Sequence, residues 1–182
     1  FYQMNAIDQL RIIFLDHLKN RIAEKEPAGL YDPVHYILEL GGKRLRPLLT
    51  LMIAKMYGAS VKDALDAGVA VEVFHNFTLL HDDIMDAAYL RRGKETVHKK
   101  WGVNTGILSG DVMLIMAYRL LEGYNKDQFH QLTKVFSKTA LEVCEGQQYD
   151  VDFEKRDDVT ISEYLLMIKL KTSVLVGCAL QM

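Results

Sequence analysis

The sequence is poor in proline and cysteine, and both shortages restrict the fold. The only prolines are Pro27, Pro33 and Pro47. Because folds with many tight turns commonly use proline in them, this distribution argues against an all-β protein. Cys144 and Cys178 are far apart in apolar helical patterns, which indicates free buried thiols rather than a disulfide framework or a zinc site. We therefore expect an all-α, cytoplasmic protein.

The chain also lacks an excess of one charge and a long apolar run. Its 182 residues include 22 Lys and Arg against 24 Asp and Glu, for a formal net charge of -2. A nucleic-acid partner bound through a broad basic surface is disfavoured, because such binding neutralises many phosphates. The best candidate for a membrane span, residues 107–118, is interrupted by Asp111 and is shorter than the roughly 20 apolar residues required. We expect no membrane span.

Apolar residues at helical spacing predict six or seven helices with short connections, within a single domain over residues 1–182. Met4 is a candidate natural start. A polar, basic loop is expected up to Trp101, and the segment 46–57, apolar nearly all round, is expected deep inside. The apolar, uncapped segment 171–182 predicts a domain that is incomplete at its C-terminal end. The predicted helices cover residues 5–25, 33–40, 44–57, 61–88, 104–122, 126–150 and 162–182, with Asp32 capping the second.

Three carboxylates end the long helix that precedes the basic loop. Asp82 and Asp86 are four residues apart, so they project from one helix face about 40° apart, with Asp83 beside them. Carboxylates at this spacing suit Mg²⁺ that also binds substrate phosphates. A solvated helix end is the alternative.

Two basic clusters accompany these aspartates. Residues 91–94, Arg-Arg-Gly-Lys, follow Asp86 closely, and residues 41–47, Gly-Gly-Lys-Arg-Leu-Arg-Pro, mark a helix start. Segregated acidic and basic clusters favour a phosphate held through metal on one side and by guanidinium groups on the other. Glycines followed by Lys43 and Arg46 can approach a second phosphate closely. Ordinary surface charge and an ordinary turn are the alternatives. Two diphosphate substrates in one apolar cavity explain both clusters most economically.

Five motifs in this order resemble the signature set of the trans-prenyltransferases, or polyprenyl diphosphate synthases. They are Gly41-Gly42-Lys43-Arg44-Leu45-Arg46-Pro47, the Asp-Asp-x-x-Asp of residues 82–86, Leu90-Arg91-Arg92-Gly93, Gly146-Gln147-Gln148-Tyr149-Asp150 and Lys171-Thr172. The resemblance implies an isoprenoid synthase fold, in which antiparallel helices surround a central cavity, with the C-terminal helices missing here. It also implies condensation of isopentenyl diphosphate with an allylic diphosphate, and a homodimer formed through residues 104–122 and 126–150.

The resemblance assigns roles to individual residues. Asp82 and Asp86 match Mg²⁺ ligands, and Asp83 supports them. Arg91 matches a contact to the allylic diphosphate, and Lys171 matches a residue beside the allylic substrate together with its neighbour Thr172. The remaining matches are Lys43, Arg46, His75 and Arg92 at the isopentenyl diphosphate site, and Gln147 and Asp150 near the metals.

Product length in this family depends on bulk before the aspartate motif. Phe77 and Thr78 lie five and four residues before Asp82, and Phe74 lies one turn earlier. This pattern resembles geranylgeranyl-type enzymes more than farnesyl types. Core packing of both phenylalanines is the alternative.

Two features depart from the family pattern and leave other functions open. Tyr89 stands where the family commonly has proline, which predicts a less fixed loop, and no second aspartate-rich motif follows Lys171. One alternative is a non-catalytic helical partner or a substrate-binding fragment. Another is a metal-dependent phosphohydrolase that uses His81 and Asp82.

Overall fold

The structure is a computed structural model that describes residues 5–23 and 25–182, and α-helices dominate it. The candidate start at Met4 lies outside the described residues. A π-helix, Lys169–Ser173, joins the last two α-helical segments into one rod. The predicted all-α class is confirmed. The described residues form α1 (Ala6–Arg21), α2 (Ala28–Glu39), α3 (Leu45–Met56), α4 (Val61–Met85), α5 (Val97–Trp101), α6 (Val103–Leu121), α7 (Lys126–Phe153), α8 (Ile161–Ile168) and α9 (Val174–Gln181).

Polar residues cap several helix starts, but α2 begins earlier than predicted. The side chains of Ser60, Asn125 and Thr160 accept first-turn backbone N–H groups, which a helix cannot satisfy internally. In contrast, α2 begins directly after Pro27 and contains Pro33 at a buried position. The start predicted at Asp32 is wrong, because the Glu26 carboxylate already accepts the Ala28 N–H at 2.9 Å.

Helix α4 is the centre of the core and packs against both α3 and α6. Val69, Val71 and Val73 are fully buried, and their close spacing shows that the helix is enclosed on several sides. The expectation that α3 is buried all round is wrong. It buries Leu48 and Leu51, but Met56 at its C-terminal end is 75% exposed. One face of α3 is enough to pack on α4 and α9, so its final turn is left uncovered.

Two glycines allow α6 to approach the aspartate end of α4. A Cβ added at Gly110 would lie 2.1 Å from His81 Nε2, and one at Gly106 would lie 2.9 Å from Ile84 Cδ1. Both distances are too short for real contacts. The close packing holds the last turns of α4 against α6 and thereby fixes the helix end that carries the aspartates.

The segment predicted as a basic loop contains regular structure. Strands β1 (Leu90–Arg91) and β2 (Lys94–Glu95) form a hairpin, and α5 follows it. The connecting Arg92 and Gly93 both have positive φ, 54° and 77°, as a tight type I′ connection requires. The hairpin is the element that presents the paired arginines.

Within the described part of the chain, no helix is both long enough and apolar enough to cross a membrane.

Candidate active site

The three aspartates at the end of α4 have different surroundings. Asp83 is 2% exposed and accepts hydrogen bonds from Arg91, with Nε at 3.0 Å from Oδ1 and 3.1 Å from Oδ2. This paired bond raises the pKa of the Arg91 guanidinium. Asp82 lies at the margin of this pair, with its Oδ2 3.6 Å from Arg91 Nη2. Asp83 therefore anchors the hairpin, and Asp82 and Asp86 remain for a metal.

Lys171 faces the same aspartates from the π-helix. Its ammonium donates to Asp82 Oδ1 at 3.1 Å and to Asp150 Oδ2 at 2.5 Å. Burial alone would lower the pKa of Lys171, but hydrogen bonds to Asp150 and Asp82 outweigh that effect and raise it. Lys171 thus joins α4, α7 and the π-helix through one cation that stays protonated at neutral pH.

The π-helix was not predicted, although one motif carried a signal for it. A Cβ added at Gly146 on α7 would lie 2.2 Å from the Lys171 backbone nitrogen and 2.6 Å from the Leu170 carbonyl carbon. The first glycine of the Gly-Gln-Gln-Tyr-Asp motif is therefore required by this backbone approach. π-helical turns often occur at functional sites, and this one presents Lys171 and Thr172.

The residues at this end of α4 fit Mg²⁺. No described group of three or more His, Cys, Asp or Glu side chains is arranged to hold a metal alone. Mg²⁺ does not need one, since it usually binds one or two carboxylates, waters and substrate phosphates. Desolvation raises the pKa of Asp86, and the negative charge of Asp82 raises it further, so Asp86 is short of positive charge. A dication held by Asp82 and Asp86 would supply that charge.

The basic wall consists of Lys43 on the loop before α3, Arg46 at the start of α3 and Arg92 on the hairpin, with His75 of α4 beside Arg46. Arg46 Nη1 is 3.3 Å from His75 Nε2. Burial, followed by the charge of Arg46, lowers the pKa of His75 to about 3, so the ring is neutral at physiological pH. The Arg92 guanidinium donates to the Gly41 carbonyl, and Lys43 is exposed on the same loop. Arg46 is thus beside His75, and Arg92 contacts the loop that carries Lys43.

A cavity of about 110 Å³ is lined by seven of the fifteen predicted site residues. Val143 and Leu175 contribute apolar walls to this cavity beside its polar groups. Gln147 Nε2 is buried and finds no hydrogen-bond acceptor among the described residues, so it is free to bind a ligand oxygen. The predicted residues that line this cavity are Arg46, His75, Thr78, Asp82, Gln147, Lys171 and Thr172.

A second cavity of about 240 Å³ adjoins the first and contains part of the predicted length determinant. Thr78, Val143 and Gln147 line both cavities. Phe77 also lines the second cavity, whereas Phe74 is buried behind it, with its ring centroid 5.3 Å from that of Phe136. Phe77 therefore has the placement of a wall residue and Phe74 that of a core residue.

His81 lines the second cavity, whereas its neighbour Asp82 lines the first. The His81 ring lies 4.8 Å from the Phe77 ring, and its Nε2 is 3.3 Å from the Ile107 carbonyl oxygen. His81 and Asp82 line different cavities, so they do not converge on one centre.

Cys144 also lines the second cavity and is exposed, so the prediction that it is buried is wrong. Its position on α7 faces the cavity rather than the core. Cys178 is buried and free, as predicted, and burial raises its pKa to about 11.

Cavity size alone would not have identified the site. An open groove of about 660 Å³ follows α7 between Lys126 and Ser137 and contains none of the predicted site residues. Convergent charges, rather than volume, distinguish the smaller cavity.

Hydrogen bonds hold the segment around Tyr89, which stands where the family commonly has proline. The Thr96 N–H donates to the Tyr89 carbonyl at 3.1 Å, and the Thr96 hydroxyl donates to the Ala88 carbonyl at 2.8 Å. Together with the Arg91–Asp83 pair, these bonds hold the segment without a proline.

Comparison with known proteins relates this geometry to a family. The family model described as polyprenyl synthetase matches residues 27–182. A geranylgeranyl pyrophosphate synthase from Geoglobus acetivorans is 43% identical over 165 residues, which cover 89% of this chain and 51% of the relative. The chain spans about half the length of the curated relatives it matches.

Solved structures agree. A crystal structure of a geranylgeranyl pyrophosphate synthase has a TM-score of 0.95 and 77% identity, covering 97% of this chain and 54% of that chain. An isoprenoid synthase family member from Thermotoga neapolitana has a TM-score of 0.88 and 28% identity. The match covers 94% of this chain and 67% of that chain. The predicted isoprenoid synthase fold is confirmed, and the chain belongs to the polyprenyl synthetase family.

Proposed function

We propose that this chain provides part of the active site of a polyprenyl diphosphate synthase. The reaction condenses isopentenyl diphosphate with an allylic diphosphate and releases diphosphate. One observation carries the proposal: a single small cavity with apolar walls is lined by the carboxylate of Asp82 and by the cations Arg46 and Lys171. Acidic and basic groups that converge on a cavity with apolar walls suit an anionic leaving group and a cationic intermediate.

The allylic diphosphate is held at the end of α4 that carries Asp82 and Asp86. Asp82 and Asp86 would hold Mg²⁺, which would supply positive charge to the diphosphate oxygens when it is bound. Asp83 keeps Arg91 in place through their paired hydrogen bonds. Arg91 and Lys171 then contact the diphosphate oxygens as the allylic C–O bond breaks. The Thr172 hydroxyl is beside the resulting cation.

Isopentenyl diphosphate is held at the basic wall by four side chains. Lys43, Arg46 and Arg92 supply charge, and the neutral His75 supplies a hydrogen bond. The double bond of isopentenyl diphosphate attacks the allylic cation, and the released diphosphate accepts the final proton. Gln147 and Asp150 provide polar groups near the metal. Positioning two substrates in this way lowers the entropic part of the barrier.

We propose a geranylgeranyl-type product, with a farnesyl-type product as the next candidate. Phe77 lines the second cavity and limits its depth. Relatives described as geranylgeranyl synthases support the longer product.

We further propose that the protein is a cytoplasmic homodimer. Apolar side chains on α6 are left uncovered, with Leu108 and Ile115 60% and 57% exposed, and Leu141 on α7 is 62% exposed. Exposed apolar patches of this kind often mark interfaces.

The placement of His81 against Phe77 and Ile107 gives a phosphohydrolase no dyad with Asp82. The other alternative, a non-catalytic partner or substrate-binding fragment, is decided by measuring activity.

The test is incorporation of labelled isopentenyl diphosphate into extractable product, with and without Mg²⁺. The chain is assayed alone and also extended beyond Met182. We expect Mg²⁺-dependent incorporation that falls by more than about a hundredfold in Asp82→Asn, because the carboxylate ligand is lost. Asp16→Asn, which changes an exposed aspartate on α1, is the matched control and should retain activity. Phosphate release from nucleotides without incorporation would support the phosphohydrolase, and binding without turnover in both forms would support the non-catalytic alternative.

A further inference from the structure

Arg44 has no role in the proposed reaction, although it lies between Lys43 and Arg46. Its side chain is only 3% exposed, and its backbone is left-handed, with φ of 52°. Non-glycine residues rarely adopt this conformation unless surrounding contacts hold it. Arg44 therefore points into the protein while its neighbours remain available to a substrate.

The Arg44 guanidinium joins two helices. It donates from Nη1 to the Glu72 carboxylate on α4 and from Nη2 to the Leu38 carbonyl on α2. Glu72 is also 3% exposed and accepts from Asn76 Nδ2 at 3.2 Å. Asn76 is fully buried and also donates to the Glu72 carbonyl at 2.8 Å. Arg44, Glu72 and Asn76 thus form one buried polar network.

A buried ion pair is poor evidence of stabilisation by itself, because removing two charges from water costs about as much as their attraction returns. Its location suggests another purpose. Glu72 lies one turn before His75 on α4, and Arg46 is 3.3 Å from His75. The network therefore ties the start of α3, where Lys43 precedes the helix and Arg46 lies in its first turn, to the turn of α4 that carries His75.

The network also balances charge within the basic wall. Burial and the charge of Arg44 lower the pKa of Arg92, and the Glu72 carboxylate opposes that shift. Burial lowers the pKa of Arg46, and Glu72 again acts in the opposite direction. Glu72 thus acts as a buried counter-charge to cations on the loop and the hairpin.

We infer that Arg44 and Glu72 are positioning residues for the isopentenyl diphosphate site: they hold Lys43 and Arg46 against His75 without contacting the substrate. This inference rests on the proposed function. A positioning role and a purely electrostatic role of Glu72 predict opposite changes in substrate affinity. If Glu72 contributed only its negative charge, removal of that charge would strengthen binding of an anion.

The test is the dissociation constant of isopentenyl diphosphate for the whole 182-residue chain, measured by calorimetry beside that of an allylic diphosphate with Mg²⁺. Glu72→Gln retains the shape of the side chain and removes its charge. We expect isopentenyl diphosphate to bind about tenfold more weakly, with allylic binding unchanged, because loss of one buried partner releases the loop. Unchanged or tighter isopentenyl diphosphate binding overturns the inference.

Arg44→Lys is the second variant, and it covers the case in which Glu72→Gln does not fold. A lysine keeps the charge but does not reproduce the two-pronged contact with Glu72 and the Leu38 carbonyl. The same selective weakening is expected. Glu122→Gln is the matched control, because it breaks an exposed pair with Arg119 at 3.7 Å. Failure of the wild-type chain to bind isopentenyl diphosphate contradicts the proposed function, whereas wild-type binding with unaffected variants contradicts only the positioning role.

Discussion

Asp82, Asp83 and Asp86 show at the residue scale how identical side chains acquire different tasks. Asp83 is buried and paired with Arg91, whereas Asp82 is 16% exposed and shared with Lys171. Asp86 is exposed, and partial desolvation together with its negative neighbours raises its pKa. Helical geometry separates the adjacent side chains of Asp82 and Asp83 by about 100°, so these two meet different parts of the protein.

His75 provides a prediction for the dependence of stability on pH. Its pKa is about 3 in the folded chain against 6.5 for an ordinary histidine. Between these values the unfolded state binds the extra proton, so the free energy of unfolding falls as pH is lowered from 6.5 towards 3. The contribution approaches about 1.4 kcal/mol for each pH unit.

Urea unfolding over this pH range checks the sign. Replacement of the ring by His75→Gln removes the titrating group, so the difference between wild type and variant should grow as pH rises towards 6.5 and then level off. A difference that does not vary with pH would contradict the low pKa of His75.

At the scale of elements, the site depends on close packing between α7 and the π-helix. We predict that Gly146→Ala destabilises the chain by about 1–3 kcal/mol, because the added Cβ would lie 2.2 Å from the Lys171 nitrogen. The shift should also separate Lys171 from Asp82 and Asp150. Urea unfolding measures the first effect and isopentenyl diphosphate incorporation the second.

Gly177→Ala is the control for that substitution. Gly177 lies on α9, and its added Cβ would meet only Gln181 Nε2, at 3.9 Å. Since alanine has the better helix propensity, this variant should be neutral or more stable by up to about 1 kcal/mol. Equal losses in the two variants would show that the π-helix contact is not the cause.

Helices α4 and α7 together form the cavity that we assign to the growing chain. We predict that Phe77→Ala lengthens the product in the active protein, because removal of the ring deepens the cavity that Phe77 lines. Phe74→Ala is the control: Phe74 packs in the core on Phe136, so its loss should lower stability by about 3–5 kcal/mol without changing product length. Chromatography of the extracted products distinguishes the two. An unchanged distribution in Phe77→Ala would contradict its role in length control.

At the scale of the whole molecule, the apolar face of α6 predicts self-association. Ile115→Glu should convert a dimer into a monomer, because a charge buried in an interface without a partner costs several kcal/mol. Ile161→Glu is the control, since Ile161 on α8 is 79% exposed but lies outside the proposed interface. Sedimentation equilibrium measures both. A dimer that survives Ile115→Glu would place the interface elsewhere.

The candidate site was predicted more completely than the elements that present it. Spacing alone placed Asp82 and Asp86 on one helix face, and the structure brings Asp82, His75 and Lys171 to one cavity. The hairpin at Arg92 and the π-helix at Lys171 were missed. Both are short, so neither produces the repeated apolar pattern from which longer helices are recognised.

The amino-acid sequence by itself determined the all-α class, the approximate helix boundaries and the order of the five motifs, because these depend on local spacing and residue type. Only the tertiary structure decided which charges meet. It paired Asp83 with Arg91, placed Lys171 between Asp82 and Asp150, and buried Arg44 against Glu72. Such pairs join residues far apart in the chain, and their partners depend on burial and on helix packing, which no local pattern encodes.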